Sequence, residues 1–343
     1  MKKAILTTLF VLIYHISSAC VIFIYHKAGD NRTPSTNVSI KRFKEQMEYL
    51  KANGYNVISL KKLVGLLKKK EKLPKKCVVL TFDDGYRSIY KNAFPIIKHY
   101  HYKITVFLPT EAIEKHYPDY LTMKQIEEMR KYGADFESHS YSHPRFTSPP
   151  KPMTKKEYEN WIRSDLTKSI EFFKKRFGYK PFAFAIPYGD YNKTVISIAK
   201  SLGFQAILTQ DATALNRFTP LWLLPREPIL GKHWSTMEHF KEVLNEGYVA
   251  VDRRVPDIGI VSKNPETIGG IVKNFERFKK NSFRVYLSER GWQWAQKKGD
   301  FVFIKNSTPL KKKLERVGIM AITKSGKIAK TLWLIETVKP YTN

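Results

Sequence analysis

Two short runs of this 343-residue chain hold its most reactive combinations of side chains. Thr81-Phe82-Asp83-Asp84-Gly85-Tyr86 sets two carboxylates side by side at the end of an apolar, β-branched run. Adjacent like charges that both lose water are costly. A bound cation removes that cost if one carboxylate ligates it and the other stays free as a base. Taken alone, Asp-Asp-Gly describes an ordinary turn just as well, with Gly85 permitting the tight bend. The second run, Ser138-His139-Ser140-Tyr141-Ser142-His143-Pro144, spaces two imidazoles four residues apart. That spacing lets both reach one metal, on a helical turn or on a folded loop. Two histidines and one carboxylate leave coordination positions for water and substrate, which is the layout of a catalytic site rather than a structural one. A lone His pair is more often incidental, but this one follows a predicted strand, as the Asp pair does.

The elements that must position these groups alternate along the chain. Cys20 to Tyr25, Cys77 to Phe82, Ile104 to Leu108, Ala134 to Glu137, Phe182 to Ile186 and Ala206 to Leu208 read as strands. Helices fall between them. Ser39 caps one that carries Phe43, Met47 and Leu50 at helical spacing, Thr122 caps another, and Tyr158 to Phe177 is the longest. Repeated strand–helix units with short loops predict an irregular (β/α) barrel of TIM-like type. In such barrels the chemistry sits where strands end. That rule picks out Asp83, Asp84, His139 and Pro187-Tyr188.

From about Val255 the pattern changes to strands separated by turns such as Gly299-Asp300 and Ser325-Gly326. A small, β-rich, sandwich-like part over 255–343 is expected to follow a barrel over 20–250. It contains no histidine and no paired acids, whereas Lys and aromatics such as Tyr286, Trp292, Trp294 and Trp333 are frequent. Aromatic faces stack on sugar rings and lysines hold anionic polymer. The expectation is therefore a part that positions polymer or docks on an envelope and adds nothing to the chemistry. Trp333, inside Leu332-Trp333-Leu334-Ile335, is expected in the core instead.

Thr-Phe-Asp-Asp-Gly, His-Ser-x-x-His and the later Pro187-Tyr188-Gly189 resemble the polysaccharide deacetylase family, carbohydrate esterase family 4. The stretch Ile24-Tyr25-His26-Lys27, then Phe43 to Tyr55, then the Asp-Asp motif, is similar to the exported bacterial branch that deacetylates poly-N-acetylglucosamine. The similarity runs from about Tyr25 to Leu244. It implies that Asp84, His139 and His143 bind one divalent metal, and that Asp83 takes a proton from metal-bound water. It further implies that the Tyr188 backbone N–H faces the oxyanion of the tetrahedral intermediate. Zinc suits such a ligand set, and cobalt, nickel or iron fit it too. The implied partner is an acetylated amino-sugar polysaccharide. The alternative is an inactive carbohydrate- or envelope-binding protein on the same fold.

The chain departs from the family pattern in two places. Ala185 stands where the family often has Arg, and the usual late Leu-x-His acid is not evident. His26, at the end of the first strand, and His233 are the candidate acids. Arg226, in Leu224-Pro225-Arg226-Glu227, either orients the site or forms a structural ion pair with Glu227 or another acid.

Lys plus Arg number 60 against 31 for Asp plus Glu, a net charge of +29. The basic residues are spread along the chain and form no nucleic-acid motif. No nucleic-acid partner is expected, while association with an anionic envelope or membrane surface is. Lys2-Lys3, the apolar run Ala4 to Tyr14 and Ser17-Ser18-Ala19 read as a signal peptide over 1–19. The expected address is exported: periplasmic, envelope-associated or extracellular. Two cysteines, Cys20 and Cys77, make no disulfide framework, and they can pair only if their strands are neighbours.

Overall fold

The computed structural model describes residues 19–261, 264–339 and 341–342. The expected signal segment lies outside these residues, apart from Ala19. The main sheet is parallel. Its strands are β1 Cys20–Tyr25, β2 Cys77–Phe82, β3 Ile104–Leu108, β4 Asp135–Ser138, β5 Ala183–Ala185, β6 Ala206–Leu208 and β7 Glu227–Pro228. Their order is β7-β1-β2-β3-β4-β5-β6, and a short strand Asn56–Val57 pairs with the start of β2. The order follows the chain except for β7, which returns to the open side of β1. The segment entering β7 is bonded to both ends of the arc. Thr209 donates its N–H to the Leu224 carbonyl beyond β6 at 2.9 Å, and Glu227 lies beside Phe23 of β1. The result is the irregular parallel (β/α) arrangement expected from the strand–helix alternation.

β1 and β2 are buried at every position, as their unbroken apolar runs require of strands covered on both faces. Val21, Phe23 and Tyr25 pack in one core with Phe43, Met47 and Leu50. Cys20 and Ile22 face a second core with Leu60, Leu63 and Val64. Ser39 caps helix Ile40–Ala52 by accepting from the Arg42 N–H, and Thr122 and Thr154 each form a full capping box. Cys20 lies directly beside Cys77 in the β1/β2 register, and the two form a disulfide. Strand adjacency creates that pairing, and spacing in the sequence does not reveal it.

The C-terminal strands are β8 Gly247–Tyr248, β9 Val251–Val255, β10 Thr267–Val272, β11 Arg284–Leu287, β12 Gly291–Trp294, β13 Gln296–Lys298, β14 Phe301–Lys305, β15 Leu314–Ile322 and β16 Ile328–Glu336. They form two sheets, β8-β16-β15-β11-β12 and β9-β10-β14-β13, with Gly259–Ile260 added against β16. The sheets share one core containing Ile268, Val302, Val317, Ile319 and Ile335. Trp333 is fully buried in it, as expected. Two strands of these sheets, β8 and β9, lie ahead of or end at Val255, where the sequence pattern changes. β9 is an edge strand with charge at positions 252–254, and none of its residues is fully buried, so it lacks the alternation that marks a strand in sequence.

Candidate active site

β2 delivers Asp83 and Asp84 where the strand ends. The Asp83 N–H still continues the sheet, donating to the Tyr25 carbonyl at 2.8 Å. Asp84 then turns into the left-handed region with φ 68°, followed by Gly85 at 66°. This kink separates the two carboxylates, so each meets different partners. The positive φ of Gly85 favours glycine there, and a β-carbon would also stand 2.5 Å from Leu108 Cδ2 and push that side chain aside.

Asp83 is fully buried and bound end-on by Arg226, Nη1 to Oδ1 at 2.7 Å and Nη2 to Oδ2 at 2.8 Å. Arg226 is itself fully buried. Its Nε donates to the Thr209 carbonyl at 3.0 Å and its Nη1 to Thr81 Oγ1 at 3.2 Å. The fork therefore has a fixed orientation before any substrate arrives. Glu227, the other partner considered for Arg226, pairs instead with Lys330 at 3.2 Å. Neighbouring residues of an extended strand point to opposite faces, which separates the two acids. Burial pushes the Asp83 carboxyl up, but the Arg226 charge, with His139, the Arg226 hydrogen bonds and His26, outweighs it and leaves it below the usual carboxylate value.

His139 follows β4 and is buried. Its Nδ1 sits 2.7 Å from the Ala185 carbonyl, which turns Nε2 towards Asp84 at 3.5 Å and Asp83 at 3.8 Å. His143 Nε2 lies 3.2 Å from the same Asp84 oxygen. Ligand atoms of Asp84, His139 and His143 all fall within 4.8 Å of one another. Burial drives His139 down to about 4, partly opposed by Asp83, so its ring is neutral and free to ligate at neutral pH. Asp84 is also held below the usual range. Burial opposes this, but the His143 hydrogen bond and the charges of His26, His139 and His143 prevail. A carboxylate and two imidazoles, with the rear nitrogen of one held by a backbone carbonyl, form a donor set suited to a divalent metal.

The His pair sits on a folded loop, with Ser140 and His143 both in the left-handed region, φ 68° and 55°. Asp165 holds that loop, accepting from the N–H of Tyr141 at 2.9 Å, the N–H of Ser142 at 3.1 Å and the Ser142 hydroxyl at 2.6 Å. Sequence reasoning missed Asp165. The available signal was an acid on the buried face of helix Lys155–Phe177, next to Ile162, Leu166 and Ser169. It also missed Arg145, which pairs with Asp190 and stacks its guanidinium 3.7 Å over the Tyr188 ring.

Tyr188 follows β5 in a short 3-10 turn, Pro187–Gly189, with φ 60°, and its ring meets His143 at 4.7 Å. His26 directly follows β1, whose last residue Tyr25 lies beside Phe82, so it stands next to the Asp pair. Its buried Nδ1 has no hydrogen-bond partner. His233, the other candidate acid, is exposed on the short helix Gly231–Trp234. The structure therefore brings together Asp83, Asp84, His139, His143, Tyr188, His26 and Arg226.

At the strand ends of the parallel sheet, an Asp/His/His cluster able to hold a metal ion thus stands beside a second aspartate paired with Arg226. Residues 70–207 match the family model described as "Polysaccharide deacetylase". A putative polysaccharide deacetylase, YxkH, of Bacillus subtilis (strain 168) is 30% identical over 206 residues, 60% of this chain and 69% of that protein. A poly-beta-1,6-N-acetyl-D-glucosamine N-deacetylase of Staphylococcus epidermidis is 32% identical over 219 residues, 63% of this chain and 75% of that one. The solved Streptococcus pyogenes deacetylase PplD, in complex with acetate, superposes with a TM-score of 0.59 at 26% identity, covering 66% of this chain and 99% of that chain. IcaB from Ammonifex degensii shares the fold, with a TM-score of 0.58 at 23% identity over 66% of this chain and 96% of that one. The chain belongs to the polysaccharide deacetylase family, and it is a hydrolase of that kind.

Proposed function

We propose that this protein removes N-acetyl groups from an N-acetylglucosamine-containing polysaccharide with one divalent metal held by Asp84, His139 and His143. The observation that carries the reading is the convergence of those three ligand atoms within 4.8 Å, beside a second aspartate that Arg226 keeps out of the ligand set. Zinc suits the donors best, and cobalt, nickel or iron take the same set. When bound, the ion supplies Lewis acidity to water and to the acyl oxygen.

The chain's own residues do the rest. Asp83 accepts the proton of the attacking water, and its bond to Arg226 keeps it ionised and aimed. The Tyr188 N–H donates to the oxygen that becomes negative as the new C–O bond forms. His26 then gives a proton to the departing nitrogen as the C–N bond breaks, releasing acetate and a free amine. The position of His26 at the end of β1, next to the strand that carries the acids, and its unpartnered Nδ1 support that assignment.

The curated relative from Staphylococcus epidermidis is named for action on poly-beta-1,6-N-acetyl-D-glucosamine, which supports an amino-sugar polymer as substrate. We read the chain as a leader over 1–19, a deacetylase part that follows it, and a β-rich accessory part. On the outer face of the latter, Tyr286 packs against Trp292 at 5.0 Å, and Trp294 is 65% exposed beneath Arg284, surfaces that suit polymer. Export to the periplasm, envelope or exterior is supported by the Lys2-Lys3 leader pattern and by a disulfide suited to an oxidising compartment. Among the described residues no helix is long and apolar enough to cross a membrane.

Metal analysis of the purified protein together with amine release from an acetylated glucosamine oligomer tests the reading. One divalent ion per chain and metal-dependent amine release are expected. A metal-free protein that releases amine at the same rate would overturn it.

A further inference from the structure

Tyr188 holds a left-handed backbone, φ 60° and ψ −2°, that a residue with a β-carbon keeps only when its surroundings impose it. Part of the constraint comes from the deacetylase region, where Arg145 pairs with Asp190 and stacks on the Tyr188 ring. The rest arrives from the C-terminal sheet, more than a hundred residues away in the chain. Arg316 of β15 donates from Nη2 to the Gly189 carbonyl at 3.4 Å and from Nε to Asp211 Oδ1 at 3.1 Å. Asp211, 3% exposed, uses its other oxygen to accept from the Tyr191 hydroxyl at 2.7 Å and the Thr209 hydroxyl at 2.9 Å. The Leu334 N–H of β16 donates to the same Tyr191 hydroxyl at 3.0 Å. Asn192 donates to Glu336 Oε2, also at 3.0 Å. Leu334 packs in one apolar core with Ile186, Tyr191 and Val195, so these polar ties sit on a dry contact. Gly189, Tyr191 and Asn192, the residues that follow Tyr188, are therefore each gripped by β15 or β16, directly or through Asp211.

We infer that Arg316 is a positioning residue for the deacetylation reaction, reaching from the C-terminal sheet to fix the Pro187–Asp190 turn so that the Tyr188 N–H faces the oxyanion. The inference rests on the role proposed above for Tyr188. The guanidinium fork explains the choice of side chain. One edge neutralises buried Asp211 while another nitrogen reaches a backbone carbonyl, a span that a single ammonium group does not cover. Arg316 and Glu336 lie beyond residue 207, where the family match ends. With that role for Arg316, the C-terminal part would support the active site as well as hold polymer.

The test uses the full metal-loaded chain and compares wild type with R316K and R316M. R316K keeps a positive charge opposite Asp211 but loses the fork, so it decides the matter if R316M fails to fold. Metal stoichiometry, kcat and KM on an acetylated glucosamine oligomer, and hydrogen–deuterium exchange of the peptide spanning 186–192 are measured together. The expected result is unchanged metal content and KM, faster exchange confined to that peptide, and kcat lowered by about 10- to 10²-fold. Unchanged exchange overturns the inference, and so does faster exchange with unchanged kcat. If the wild-type chain itself releases no amine, the proposed function fails separately. The exchange comparison then decides the anchor alone, faster exchange in R316K supporting it and unchanged exchange overturning it.

Discussion

Buried charge is arranged differently at the strand ends of the parallel sheet and at the face where the C-terminal sheet meets it. Arg226 and Asp83 are both fully buried, satisfy each other end to end, and leave their neighbour Asp84 to two histidines. At the second face, Arg316 is 29% exposed and Glu336 has one carboxylate oxygen, Oε1, without any partner. The first arrangement is a closed pair beside an open ligand set. The second is a set of incomplete ties that hold one backbone segment to another. Complete pairing aims a reactive group and holds its ionisation, whereas partial pairing joins elements and leaves them sensitive to conditions.

The comparison breaks first at the ligand set. His139→Ala should empty the metal site and reduce turnover by more than about 10²-fold, since loss of groups that merely support ligands already costs 10- to 100-fold. Metal content and amine release report it together. Asp83→Asn should retain the metal and still lose about 10²–10⁴-fold in turnover, because only proton transfer is removed. Near-normal turnover in that variant would show that Asp83 is not the base.

Arg226→Met removes one half of the closed pair. An uncompensated buried Asp83 should destabilise the fold by about 3–5 kcal/mol, measured by urea unfolding. Adding Asp83→Asn should recover much of that loss. A single variant within 1 kcal/mol of wild type would mean that the pair is not closed in solution.

The smallest effect is expected at Glu336. Burial pushes its carboxyl up to about 7, opposed by the Asn192 hydrogen bond and Lys313 and reinforced by Asp190. An acid whose folded value exceeds its ordinary value of 4.5 takes up its proton on folding. Its contribution to stability is therefore complete below pH 4.5 and lost as pH rises through 7. Glu336→Gln cannot ionise, so, matched to wild type near pH 5, it should exceed it by about 2–3 kcal/mol near pH 8. Parallel stability curves for the two proteins would place Glu336 in a wetter setting than its burial implies.

Much of the deacetylase part was legible because it depends on local pattern. The short, β-branched run Cys77 to Phe82 read as a strand covered on both faces, and the acids at its end fall where parallel strands present chemistry. Ser39 and Thr122 marked helix starts through their own hydroxyls. The His139/His143 pair was visible as a spacing, although its loop conformation was not. That loop depends on Asp165, a residue from a later helix.

What the tertiary structure alone decided is which distant groups meet. Arg226 had Glu227 as its nearest acid in sequence, yet it binds Asp83, 143 residues away, because strand alternation turns the two neighbours apart. The Cys20–Cys77 bond follows from the β1/β2 register, and the start of the C-terminal sheets was hidden by an edge strand without alternation. The grip of Arg316 on Gly189 spans 127 residues. Periodicity along a chain records which face of an element is buried. It carries no record of which other element covers that face, so partner choice belongs to the packed structure.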